Sequence, residues 1–174
     1  MSDKLPDLID PLLLCERKIV LSGSIKIAAL ERLSDLAVEN NGDVKVELAF
    51  SKEGKRAIIT GRLVAALTIE CQACLQTMQW PLDISFKLGV VTSVFEADQL
   101  EIECEPLIFE SGRVSLNAIV EDEILLALPD YPKHEYDCIE RSSQENRENI
   151  EQEIRPKRAD NPFSVLAKLK KTGD

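Results

Sequence analysis

The chain has 174 residues, 31 acidic and 21 basic, and a formal net charge of −10. Its 44% apolar and 30% charged residues are a globular composition rather than that of a disordered or membrane chain. The acidic balance weighs against any partner whose phosphates would be gripped by the whole surface, and it leaves only a local basic patch for direct nucleic-acid contact.

Residues 1–14 carry Asp3, Asp7 and Asp10, and Pro11 cuts the apolar run Leu12-Leu13-Leu14 to a stub, so no secretory leader is expected. The longest apolar stretch, residues 63–69, contains Thr68 and falls far short of the roughly 18 residues of a membrane span. A reducing, cytoplasmic setting is the expectation. Five cysteines there, Cys15, Cys71, Cys74, Cys104 and Cys138, read as thiols or metal ligands before disulfides.

In chain order, residues 16–22 predict a short strand, and the spacing of Ile27, Leu30, Leu33, Leu36, Ala37 and Val38 predicts a helix that stops at Asn40-Asn41-Gly42. Val44, Val46, Leu48 and Phe50 alternate with polar or small residues, as in a half-buried strand, and residues 51–55 form a turn. Residues 57–70 are apolar and β-branched, with Gly61 marking a bulge or bend; Leu82, Ile84, Phe86 and Leu88 alternate again. A further strand falls around Leu107-Ile108-Phe109, and a turn at Ser111-Gly112. Ser115 is placed to cap a helix that Pro129 ends.

The fold class expected is α+β: a twisted antiparallel sheet, a meander or a barrel-like closure of one, with a buried helix at about 115–128 and a short C-terminal helix. Residues 1–138 read as a single domain, 139–160 as a polar linker, and 161–174 as an amphipathic segment. In that segment Phe163, Leu166 and Leu169 share a face, and Lys168, Lys170 and Lys171 lie near its end, where a helix dipole favours cations. It either docks back on the domain or serves as a recognition element for another molecule.

Two constellations carry chemistry. Cys71-Gln72-Ala73-Cys74 lies between two strand signals, so both thiols sit on a hairpin turn, the arrangement of a zinc knuckle. A redox pair would instead open a helix. His134 and Cys138, with three residues between them, complete a set of four ligands, with Cys104 and Cys15 in reserve. Such a zinc would be structural, because four protein ligands leave no open position; ordinary reduced cysteines are the alternative. The second is Glu123, which falls in the middle of the apolar stripe of the 115–128 helix and needs a partner there. It reads as a structural hydrogen bond to a neighbouring loop or as a functional carboxylate. A single histidine, seven glycines and no Gly-x-Ser-x-Gly or phosphate-binding loop point away from an enzyme.

Ile69-Glu70-Cys71-Gln72-Ala73-Cys74-Leu75, the string Val120-Glu121-Asp122-Glu123-Ile124-Leu125-Leu126-Ala127-Leu128-Pro129 with His134 beyond it, and Asn161-Pro162-Phe163-Ser164-Val165-Leu166-Ala167-Lys168-Leu169 together resemble the YceD family, the large ribosomal RNA subunit accumulation proteins. The resemblance implies a cytoplasmic, non-catalytic factor supporting synthesis, processing or stability of 23S rRNA. The family often carries Arg between the paired cysteines, where this chain has Ala73, which weakens the case for RNA contact at the knuckle. The partner expected is a basic ribosomal protein or assembly factor, met by the acidic surface and anchored by Phe163, Leu166 and Leu169; neither a membrane nor a small-molecule substrate is expected. Two alternatives stand beside it. One is direct RNA binding through Lys157, Arg158, Lys168, Lys170 and Lys171. The other is an enzyme using zinc-bound water, for which no general base is evident.

Overall fold

The computed structural model describes residues 5–100, 104–109 and 112–139. In order the elements are β1 (Leu8–Ile9), α1 (Pro11–Arg17), β2 (Val20–Lys26), a 3-10 turn (Ile27–Ala29), α2 (Glu31–Leu36), β3 (Asp43–Glu53), β4 (Arg56–Glu70), β5 (Thr77–Val91), α3 (Val94–Ala97), β6 (Glu105–Ile108), β7 (Val114–Ser115) and α4 (Leu116–Ala127). The chain falls into two compact units, Met1–Glu135 and Tyr136–Asp174, and every element named here belongs to the first. Apart from Ile139, the expected linker and the C-terminal helix lie outside the described residues.

The alternating stretches form the strands that their period demands. Val44, Val46, Leu48 and Phe50 are buried on one face of β3, opposite Ile59, Leu63 and neighbouring residues of β4. Five strands are hydrogen-bonded in the order β2-β3-β4-β5-β6. The expected antiparallel meander holds from β2 to β5. The last pairing differs, because β6 runs parallel to β5, from Leu88↔Glu105 to Val91↔Ile108. A parallel neighbour needs a crossover, and residues 92–104, with α3 among them, supply it. Among the described residues β2 and β6 do not pair, so the sheet is open, mixed and α+β rather than closed as a barrel.

Gly61 makes no bulge. It stays in register between Leu48 and Phe86, and its missing side chain makes room for the Phe86 ring, into which a Cβ would run.

Two helical segments depart from expectation, and a third is found where expected with one residue of its outer face well exposed. Residues 16 and 17 belong to α1, not to a strand: the Asp10 carboxylate accepts from the Leu13 amide at 3.0 Å, Pro11 opens the first turn, and Lys18 ends the helix in the left-handed region. The predicted helix over 27–38 is broken at Leu30, which is extended. Ile27, Leu30 and Leu33 are all buried; on one continuous α-helix, steps of three residues would spread them over about 120°. The helix over 115–128 is found as α4, its Ser115 hydroxyl accepting from the Ala118 amide at 3.2 Å. It packs on β5 and α2, yet it is not apolar-buried all round, because Leu126 is 73% exposed. No helix among the described residues is long and apolar enough to cross a membrane.

Candidate metal centre

β4 and β5 pair without a break from Ala57↔Val90 to Glu70↔Thr77, which leaves residues 71–76 as the tip of a long hairpin. Backbone hydrogen bonds fold that tip back on itself. The Cys71 amide donates to the Gln76 carbonyl at 2.9 Å, and the Leu75 amide to the Cys71 carbonyl at 2.9 Å. Closing the loop this way puts Leu75 at φ +60°, in the left-handed region. A third bond, from the Gln72 amide to the Pro132 carbonyl at 2.8 Å, ties the tip to the segment after α4 that carries His134.

Cys71, Cys74 and His134 therefore converge, their ligand atoms within 4.8 Å of one another. Cys74 Sγ lies 3.5 Å from His134 Nδ1. In a tetrahedral zinc site with Zn–S of about 2.3 Å and Zn–N of about 2.0–2.1 Å, the S···N edge is about 3.6 Å. This pair already stands at ligand spacing, and the thiol and imidazole donors are those zinc prefers. Cys71 is buried. Burial opposes ionisation of its thiol, but backbone hydrogen bonds at Cys74, Ala73 and His134, together with the Cys74 side chain, outweigh it and bring the pKa down to about 6. The thiolate is the form that ligates.

Cys138 belongs to the second unit, where it is half-buried, four residues beyond His134. The reserve cysteines lie elsewhere. Cys15, on α1, donates to the Ile58 carbonyl at 3.4 Å and has its pKa raised by burial. Cys104 is buried beside Gly89. Neither is in the group of metal-capable residues found among the described residues.

The carboxylates of α4 divide in a way the sequence does not show. Glu121, not Glu123, makes the structural hydrogen bonds: its carboxylate accepts from the Leu33 amide at 3.0 Å and from Arg32 Nε at 3.1 Å. α2 opens on Leu30, which has no side chain able to cap, so Glu121 supplies from another helix the acceptor that a local residue normally provides. The absence of Ser, Thr, Asp or Asn before Glu31 was the one sequence signal that an outside acceptor was needed. Arg32 also pairs with Asp122 at 2.7 Å. Glu123 is buried beside a cleft; burial first, then the charges of Glu105 and Asp122, raises its pKa to about 7. Phe163, Leu166, Lys168, Leu169, Lys170 and Lys171 lie outside the described residues.

Comparison with known proteins gives a consistent result. Residues 59–170 match the family described as "Large ribosomal RNA subunit accumulation protein YceD". The protein of that name from Haemophilus influenzae is 34% identical over 169 residues, covering 96% of this chain and 97% of its own. No solved structure matches.

Proposed function

Since the chain belongs to the YceD family, we propose that it is a non-catalytic factor supporting accumulation of large-subunit rRNA, held in shape by zinc on Cys71, Cys74, His134 and Cys138 and acting through a basic protein partner. The observation that carries the reading is the near full-length similarity to a relative named for that role.

Convergence of Cys71, Cys74 and His134 supports the metal, and Cys138, four positions beyond His134 in the sequence, is the fourth donor that the ligand spacing offers. Zinc so held would stiffen the tip; the chain's own residues shape the surface it presents. The charge of −10 supports a basic protein as partner over RNA itself. In the sequence, Phe163, Leu166 and Leu169 supply the apolar anchors for that partner, flanked by Lys168, Lys170 and Lys171.

The test is a strain lacking the gene. Its ratio of large- to small-subunit rRNA should fall and be restored by the full chain; an unchanged ratio overturns the assignment. Purified protein should show no salt-steep binding to large-subunit RNA fragments, and such binding would move the reading to a direct RNA binder.

A further inference from the structure

α4 and β6 border a cleft of about 480 Å³. Its apolar walls include Leu88 of β5, Leu107 of β6, and Ile119 and Leu126 of α4. The charged groups that line it are Glu105 from β6, Asp122 and Glu123 from α4, and Arg32 from α2.

Glu123 is the unusual member. It is 9% exposed, and among the described residues no hydrogen bond or ion pair reaches its carboxylate. No fully enclosed side-chain oxygen there lacks a partner, so the Glu123 oxygens open onto the cleft rather than into the core. The lining cation cannot serve it, because the Arg32 guanidinium is held by Glu121 and Asp122. The fold has thus largely buried a carboxylate at the wall of a cleft and, among the described residues, given it no counter-charge.

We infer that this cleft seats an arginine side chain of a basic protein partner, with the guanidinium on Glu123 and the aliphatic stem along the apolar walls. The inference deepens the proposed function and rests on it for the partner's being a basic protein. Charge complementarity supports it: three carboxylates face one guanidinium that is already paired. The apolar walls favour an arginine, whose aliphatic stem they can cover, over a hydrated metal ion, which has no apolar surface to bury. Guanidinium is also the more weakly hydrated of the two basic side-chain heads and the better suited to a buried carboxylate. Leu126, 73% exposed at the cleft, gives the residues beside that arginine an apolar contact.

Titration of the ¹⁵N-labelled full chain with acetyl-Leu-Arg-Leu-amide tests the seat, with the citrulline peptide as an uncharged isostere. The arginine peptide should shift the amides of Leu107, Ile119 and Glu123 saturably, and the citrulline peptide should bind about tenfold more weakly. Glu123→Gln should weaken arginine binding by a similar factor. If that variant fails to fold, Glu105→Gln on the exposed strand β6 should still weaken binding, by about threefold. Absence of saturable shifts, or equal binding of the two peptides, overturns the inference and leaves the rRNA assignment standing on its own test. A Glu123→Gln strain with a normal rRNA ratio but lost peptide binding breaks the link between the cleft and the proposed function.

Discussion

The tip of the β4–β5 hairpin and the outer half of α4 both withdraw ionisable groups from water, and they compensate for it differently. At the tip, Cys71 is stabilised as thiolate by hydrogen bonds from Cys74, Ala73 and His134; two of these lie within three residues of it. On α4, Glu121 finds its partners in Arg32 and the Leu33 amide, 88 residues away in sequence for the latter. Glu123, two positions on, finds none among the described residues and is held toward neutrality instead. A buried ionisable group is thus settled by local chain geometry in one region and by tertiary packing, or by no partner among the described residues, in the other.

Removing the metal donors should break the comparison most strongly. Protein purified without an affinity tag should carry one zinc per chain, and Cys71→Ser or a strong chelator should cost about 4 kcal/mol, well below the roughly 10–16 kcal/mol of zinc-finger peptides because the sheet has its own core. Amide exchange should accelerate first at residues 71–76. Absence of zinc, with stability indifferent to chelation, would sink the metal reading.

Glu121→Ala comes next, at about 3 kcal/mol, because it strands the buried Leu33 amide and removes a carboxylate from a shared ion pair. Glu121→Gln keeps an acceptor for that amide and should lose about half as much. Arg32→Ala should cost least of the three, since its side chain is 53% exposed. Urea midpoints rank the three; if Glu121→Ala proves no worse than Arg32→Ala, the cross-helix cap is not what holds α2.

Glu123 should behave in the opposite sense. Its folded pKa of about 7 lies above the ordinary glutamate value of 4.5. The folded state therefore binds this proton more tightly, and the stabilisation is present at acid pH and lost as pH rises from 4.5 through 7. Glu105, Asp122 and Arg32 are the charged groups that face it. Glu123→Gln should match wild type near pH 4 and exceed it by about 1–2 kcal/mol at pH 8, read from urea midpoints at both pH values. A pH-independent difference would mean that Glu123 ionises freely.

What was legible in the sequence follows the same division. β3 and β5 were readable because alternation is a local signal, β4 because its apolar, β-branched composition is one too, and Ser115 and Pro129 marked α4 for the same reason. Cys71 and Cys74 were readable as a hairpin-tip pair because two strands flank them. The start of α1 was legible too, in Asp10-Pro11, but the proline invited a reading as a breaker when its place was the first turn. The parallel return of β6 and the choice of Glu121 over Glu123 were not legible, since both depend on where distant elements dock. A helical wheel ranks the two glutamates by the apolar residues around them; the structure ranks them by which one meets the open end of α2.

Leu75 offers the finest probe of the tip. It is 67% exposed and left-handed at φ +60°, a conformation that costs a non-glycine residue about 1–2 kcal/mol and recovers little through burial. Leu75→Gly removes that strain but frees the unfolded chain, a loss of about 0.5–1 kcal/mol, so the net gain should be about 0.5 kcal/mol. Leu75→Ile, β-branched, should lose about 1 kcal/mol instead. Thermal midpoints of the metal-loaded protein distinguish the two. If Leu75→Gly destabilises, the leucine side chain itself shields the cysteines, and the tip relies on packing as α4 does; if it stabilises, the tip's cost is carried by the backbone alone.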